Sequence, residues 1–153
     1  MGIRLSDWFA NKLWKTNLVM PCNRVQYVLS RLKRDEQWND KMQEQVEDAK
    51  YVLQIMIVVA KRVGLDEGLT LDEAELFEIF GGKWQAGQNI LDVLKSAKID
   101  AKYLLARCSE ALRLVDELLA EHELPKTYYN WLKSCFHWLS EPFLISVHRE
   151  LAA

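Results

Sequence analysis

The sequence predicts an all-α fold, a compact multi-helix bundle of about seven helices with mostly antiparallel neighbours. Apolar residues recur every three to four positions along most of the chain, and almost no segment alternates as a strand would. The chain has only 6 Gly and 3 Pro, and its hydrophobic fraction of 50% excludes a disordered chain. A length of 153 residues predicts one domain over 1–153. In one interpretation, residues 1–20 form an amphipathic helix appended to it.

The first two predicted helices lie in the N-terminal quarter of the chain. Ser6 is a suitable N-cap for a helix over 7–16. Pro21 is expected to end the segment that follows. Asn23 then precedes an amphipathic helix over 24–34, with apolar residues on one side and arginines on the other.

The third helix is expected to be the central one. Asp40 and Gln43 form a capping-box pattern that opens a helix over 40–63, and Gly64 follows as its left-handed cap. The second half of this helix, residues 51–60, is apolar on nearly every side. A helix with that composition is expected to be surrounded by other helices.

Further capping patterns define the helices of the C-terminal half. Residues 70–73, Thr-Leu-Asp-Glu, form a capping box that starts a helix over 71–80. The long periodic stretch over 84–123 is expected to bend near Asp100, a plausible N-cap, and so to make two helices.

The last two predicted helices are separated at a proline. Pro125 is expected to start a helix that ends at Leu139. Ser140 is then expected to cap a final helix over about 141–151, with Pro142 in its first turn. The short connections between all these segments favour antiparallel neighbours.

The formal net charge of −2 argues against a polycation that coats nucleic acid. The charges are nevertheless separated along the chain. Residues 1–34 carry seven basic side chains and one acidic one, residues 35–82 carry four and twelve, and residues 83–153 carry nine of each. A basic N-terminal quarter therefore precedes an acidic middle segment, and the two either neutralise each other in the fold or present a bipolar surface.

Cysteine use and hydropathy indicate a soluble, cytoplasmic protein. Cys22, Cys108 and Cys135 are an odd number without tight spacing, so reduced thiols are expected rather than a disulfide framework. The N-terminus lacks the basic-then-apolar design of a secretory signal. No apolar stretch reaches the roughly 18 residues of a transmembrane helix.

No motif predicts a catalytic residue, a metal site or a cofactor. Paired Cys or His ligands at the spacing of structural zinc do not occur in the sequence. Cys135 and His137 would point about 200° apart on a helix and could not share a metal ion. The glycine-rich segment 81–87 lacks the Gly-Lys-Ser/Thr ending of a phosphate loop.

Two pairs of acidic residues support an enzymatic alternative. Glu44 and Glu47 fall on one face of the third predicted helix, and Glu75 and Glu78 on one face of the fourth. This layout resembles that of all-α nucleotide pyrophosphatases, which hold magnesium between helices. The resemblance covers only these two pairs, and it implies a metal-dependent nucleotide hydrolase. Solvated helix faces are the competing interpretation.

The first residues support a membrane-associated alternative. Gly2 and Ser6 fit the pattern for N-myristoylation. A single acyl chain gives reversible membrane binding that basic residues strengthen, and Arg4, Lys12 and Lys15 are close in sequence.

Aromatic residues support the function that we favour, a small protein-binding or regulatory module such as an inhibitor, an adaptor or a small subunit. The chain contains 6 Trp, and Trp and Tyr anchor interfaces because their rings bury large areas while a polar edge reaches water. Tyr128, Trp131 and Trp138 are the expected anchors for another protein or for a second copy of the chain. Filling of the core is the competing interpretation of these rings.

The arginines of the second predicted helix are the expected charged contribution to such an interface. Arg24, Arg31 and Arg34 lie on its polar side, where they would steer an acidic partner. An alternative is that this basic helix over 24–34 binds the phosphates of a nucleic acid.

Overall fold

A computed structural model describes residues 18–63, 93–94 and 96–152 of the chain. These residues form four helices: α1 (Met20–Lys33), α2 (Asp40–Val63), α3 (Ala101–Glu121) and α4 (Lys126–Ala152). No strand occurs in this part, so the predicted all-α class is confirmed. The predicted helices over 7–16 and 71–80, and most of the one before Asp100, lie outside the described residues.

The four helices form an up-and-down bundle. The most extensive packing joins α2 to α3 and α1 to α4, while α3 and α4 pack least among the four pairs of neighbouring helices. The end of α1 meets the start of α4, where Lys33 Nζ donates to Asn130 Oδ1 over 3.0 Å. Lys50 of α2 pairs with Asp116 near the end of α3 over 2.7 Å. The connections α1–α2 and α3–α4 lie at the same end of the bundle, where Trp38 stacks on His122, so α1 runs antiparallel to α4 and α2 to α3.

One continuous hydrophobic core lies between the four helices. Each helix contributes apolar residues at intervals of three or four, so that they form one stripe along its inner side. Burying a side chain of this size stabilises the fold by about 1.5–3 kcal/mol. Among the largest side chains with less than 2% of their surface exposed are Leu29 of α1, Met42, Leu53 and Met56 of α2, Leu104, Leu114 and Leu118 of α3, and Phe136 and Phe143 of α4.

The starts of α1 and α2 differ from the prediction by a few residues. Pro21 does not end a preceding segment but lies in the first turn of α1, where its missing N–H costs nothing because that group has no intrahelical partner. The residue that caps α2 is Asn39, whose Oδ1 accepts a hydrogen bond of 2.9 Å from the Met42 amide. Asp40 is instead the first helical residue, where its negative charge suits the helix dipole.

The second half of α2 is less enclosed than its composition predicts. Val52, Leu53 and Met56 are buried. Tyr51 and Val58, however, are 54% and 38% exposed. The expectation that this helix is surrounded is therefore wrong for one of its sides, which faces outward.

The connections before and after α3 are fixed by polar contacts. Asp100 caps α3 as predicted, and its Oδ1 accepts from the Lys102 amide over 3.1 Å. At the other end His122 adopts a left-handed conformation with φ of 63° and donates its amide to the Leu118 carbonyl. The Leu124 amide then donates to the buried Tyr129 hydroxyl over 2.9 Å.

The last two predicted helices are one helix. Helix α4 runs from Lys126 to Ala152 with Pro142 inside it, so Ser140 is not an N-cap. The Ser140 side chain is fully buried, and its hydroxyl donates to the His137 carbonyl over 3.1 Å. A hydroxyl bonded to its own helix needs no other partner in the core, and the helix continues through the proline.

Candidate functional site

Aromatic and arginine side chains meet along the flank shared by α3 and α4, the pair of neighbouring helices with the least packing. We call this the aromatic face. Tyr103 and Arg107 lie one turn apart on α3 and Trp138 lies opposite them on α4. The face consists of Tyr103, Arg107, Tyr128, Trp131 and Trp138.

Arg107 holds the centre of this face. Its guanidinium lies 4.6 Å from the centroid of the Trp138 ring and 5.8 Å from that of Tyr103, and its Nη1 donates to the Tyr103 hydroxyl over 3.2 Å. The two rings meet edge to face with centroids 5.5 Å apart. Cation–π and edge-to-face contacts each contribute about 0.5–1.5 kcal/mol, so the three side chains hold one another in place.

The two remaining aromatic residues extend the face towards the start of α4. Trp131 lies one heptad before Trp138, hence on the same side of the helix, and both rings are half-buried against the core. Tyr128 is 41% exposed. The pKa of Arg113 on α3 is raised mainly by a hydrogen bond to Glu110, with a smaller contribution from the charge of Tyr128. The same bond lowers the pKa of Glu110.

The structure thus places all three predicted anchors on one flank of α4, two of them half-buried and one exposed. The two tryptophans therefore pack on the core and keep part of their surface exposed. Sequence reasoning missed Tyr103 and Arg107. Their signal was present, because an aromatic residue and a cation four positions apart share one face of a helix.

The predicted arginines lie elsewhere, Arg24 and Arg31 on the outer side of α1 and Arg34 at its C-cap. Arg24, Arg31 and Arg34 are all exposed. Arg31 pairs with Glu36, and Arg34 Nη2 lies 3.8 Å from the same carboxylate. Tyr27 lies between Arg24 and Arg31 and is 74% exposed. Since α1 packs on α2 and α4 while the aromatic face belongs to α3 and α4, the arginines and the predicted anchors do not form one cluster.

No protein-family model, curated protein or solved structure matches this chain. Within the described residues, no group of three or more His, Cys, Asp or Glu side chains is arranged to hold a metal ion. No helix of the described part has the length and hydropathy to cross a membrane.

Of the two acidic pairs that would bind a metal in a nucleotide hydrolase, the structure describes only the first. Glu44 and Glu47 are exposed on α2, and Glu47 Oε1 accepts a hydrogen bond of 2.8 Å from Gln43. Glu75 and Glu78 lie outside the described residues, as does Gly2, the site of the lipidation alternative.

A cleft of about 970 Å³ lies at the end of the bundle where the connections α1–α2 and α3–α4 meet. Two contacts join these connections across it. Trp38 stacks on His122, and Lys126 Nζ pairs with Asp35 Oδ2 over 2.9 Å. The carboxylates that line the cleft are those of Asp35, Glu36, Glu117, Glu121 and Glu123.

The three cysteines converge in the core from α1, α3 and α4. All are free thiols with no exposed surface. Burial, reinforced by the neighbouring thiols, raises the pKa of Cys22 and raises that of Cys108 to about 12. Burial raises the pKa of Cys135 to about 11 even though Arg107 lowers it by its charge and a hydrogen bond. Protonated thiols of this kind are poor nucleophiles and behave as small apolar side chains.

Proposed function

We propose that this protein is a helical protein-binding module, an inhibitor, adaptor or small subunit of an assembly, whose aromatic face contacts the partner. The observation that carries the proposal is the contact of Tyr103, Arg107 and Trp138 between α3 and α4, the two neighbouring helices of the described part that pack least on each other. Aromatic and arginine side chains are the types that dominate the energetics of protein interfaces.

The mixed exposure of this face supports the proposal. The tryptophans are held against the core, so little side-chain entropy is lost when a partner covers their remaining surface. Tyr103 and Tyr128 are 53% and 41% exposed, so each still offers ring area to a partner. A rigid base with accessible rings at its edges is the arrangement expected of interface anchors.

The charge of Arg107 indicates what the partner supplies. Arg113 is already paired with Glu110 and Glu117. Arg107, in contrast, forms no ion pair with any described carboxylate, and its contacts are the two rings and the Cys135 thiol. A partner that covers the face would therefore remove an unpaired cation from water unless it brings a carboxylate of its own. We infer an apolar partner surface that carries at least one Asp or Glu near its centre.

The test is affinity capture from the native host with the full-length chain and two matched variants. The first variant, Tyr103→Ser with Tyr128→Ser, removes exposed rings from the aromatic face. The second, Tyr51→Ser, removes a ring of equal exposure from α2, with 54% of Tyr51 exposed against 53% of Tyr103. Because these side chains are exposed, urea unfolding should show both variants folded.

We expect one protein to be captured by the wild type and by Tyr51→Ser, and its recovery to fall about tenfold or more with the double variant. Titration of that purified protein should then show weaker binding to Arg107→Met. Equal recovery on all three baits would contradict the proposal. So would a chain that captures nothing and sediments as a monomer at high concentration, because a second copy is the remaining partner of this kind.

A further inference from the structure

We propose that α1 carries a second binding surface, separate from the aromatic face, for single-stranded nucleic acid. This surface, the arginine–tyrosine stripe, consists of Arg24, Tyr27, Arg31 and Arg34. It does not depend on the function proposed above, because different helices form the two surfaces.

The spacing of three of the four residues places them in one line. Offsets of three and four residues keep Arg24, Tyr27 and Arg31 on one side of a helix, and Arg34 follows as the C-cap residue of α1. With a rise of about 1.5 Å per residue, Arg24 and Arg31 are about 10 Å apart along the axis. Tyr27 is 74% exposed between Arg24 and Arg31, a larger fraction than for Tyr51, Tyr103 or Tyr128.

The stripe is locally basic despite the acidic overall charge. Helix α1 contains Arg24, Arg31 and Lys33 and no acidic residue. Within the described residues, Glu36 is the one carboxylate that pairs with the stripe, at Arg31 and Arg34. Arg24 forms no ion pair or hydrogen bond within the described residues, so its guanidinium is available to a ligand.

The combination of side chains identifies the ligand. Guanidinium groups bind phosphate oxygens bidentately. An exposed ring between them provides a surface on which an unpaired base stacks, and such stacking is tolerant of sequence. In a duplex the bases are already stacked on one another, so Tyr27 would contribute nothing. An acidic protein segment would use the arginines but would leave the ring without a planar partner, and for this reason we favour the single strand.

Glu36 limits the affinity of the stripe. Its carboxylate occupies Arg31 and lies near Arg34, and it would also repel a phosphate at that end. Replacing Glu36 by Gln removes the negative charge while keeping a side chain of similar shape. We therefore expect Glu36→Gln to bind single-stranded nucleic acid more tightly than the wild type. An ion pair with a structural role alone would not give this result.

The experiment is a fluorescence anisotropy titration of the full-length chain with labelled oligothymidine and oligouridine, each longer than the roughly 4–16 nucleotides that one single-strand-binding fold covers. Three phosphate contacts predict that the logarithm of the association constant falls with the logarithm of salt concentration with a slope of about −2.

Arg24→Ala should reduce the magnitude of this slope by about 0.7. Tyr27→Leu should weaken binding about fivefold or more while Tyr27→Phe binds as the wild type, and Glu36→Gln should tighten it about two- to fivefold.

Arg113→Ala is the matched control, since it removes the same charge from an exposed arginine on α3. Binding should change little in this variant. Absence of binding at low salt would overturn the proposal, and so would an equal loss with Arg113→Ala. Polyglutamate that competes as strongly as oligothymidine, together with unchanged binding of Tyr27→Leu, would show a site for acidic protein segments instead.

Discussion

Trp38 and His122 stack face to face, with ring centroids 4.8 Å apart and planes 2° from parallel. Trp38 precedes α2 and His122 follows α3, so the stack joins the two connections at one end of the bundle. The ion pair between Asp35 and Lys126, the first residue of α4, adds a second link at the same end. The turn between α1 and α2 is thus held against the turn between α3 and α4.

His122 should show two opposed effects when it is replaced. Its φ of 63° lies in the left-handed region, which costs a residue with a Cβ about 1 kcal/mol or more relative to glycine. Its ring contributes about 0.5–1.5 kcal/mol by stacking. His122→Ala loses the stack and keeps the strain, whereas His122→Gly loses the stack and relieves the strain.

We therefore expect His122→Gly to be more stable than His122→Ala by about 1 kcal/mol in urea unfolding. Ala101→Gly, in the first turn of α3, serves as the reference for glycine in an ordinary helical conformation and should be destabilising. An alanine variant as stable as the glycine variant would show that the backbone strain at this position is unimportant.

The hydroxyl of Tyr129 should matter more than that of its neighbour. Tyr129 is 3% exposed and accepts the Leu124 amide hydrogen bond. Tyr129→Phe leaves that amide unpaired in the core and should lower the free energy of unfolding by about 1–2 kcal/mol. Tyr128→Phe, one residue earlier and exposed, is the matched control and should change it by less than about 0.5 kcal/mol. Equal effects in the two variants would contradict this role of the Leu124 amide.

Local signals in the sequence predicted much of the fold but not the pairing of its faces. The sequence predicts Asp100 as a cap because a capping side chain acts within one turn, and its Oδ1 accepts the Lys102 amide hydrogen bond. The residues of the aromatic face on α3 were missed because Tyr103 and Arg107 become notable only once Trp138 lies opposite, and nothing local encodes which flanks of two helices meet. Local sequence also does not encode that Arg24 and Trp138 lie on different surfaces, because this depends on how the helices pack.

Pro142 is the residue that misled the prediction for α4, and it supports a test of helix continuity. A proline inside a helix cannot donate a hydrogen bond to the preceding turn, which is why the sequence suggests a new helix there. The structure continues the helix to Ala152. Pro142→Ala should then restore the donor without altering the path of the chain.

We expect Pro142→Ala to raise the free energy of unfolding by about 1–3 kcal/mol, measured by urea denaturation. Glu141→Ala, at the exposed preceding position, should have little effect and controls for side-chain loss on this turn. Destabilisation by Pro142→Ala would indicate that a bend at the proline is required for the packing of α4.

The buried thiols predict a loss of stability at alkaline pH. A cysteine in the unfolded chain titrates near 9.0, whereas in the fold the pKa is about 12 for Cys108 and about 11 for Cys135, and that of Cys22 is also raised. Below pH 9.0 the thiols are protonated in both states, so their contribution is fully present. As the pH rises above 9.0, the unfolded chain releases thiol protons that the folded chain retains, and unfolding becomes more favourable until the folded pKa values are passed.

Urea unfolding over about pH 8–11 should therefore show a declining free energy of unfolding, with a shallower decline in Cys22→Ala, Cys108→Ala and Cys135→Ala than in the wild type. Each alanine variant is less stable at neutral pH because it loses buried volume, so it is the slope that tests the thiols. Lysine and tyrosine titrate in the same range and are unchanged in the variants, which makes the difference in slope specific to cysteine. Parallel slopes would mean that these thiols ionise as readily in the fold as in the unfolded chain, and so that the core between α1, α3 and α4 admits water.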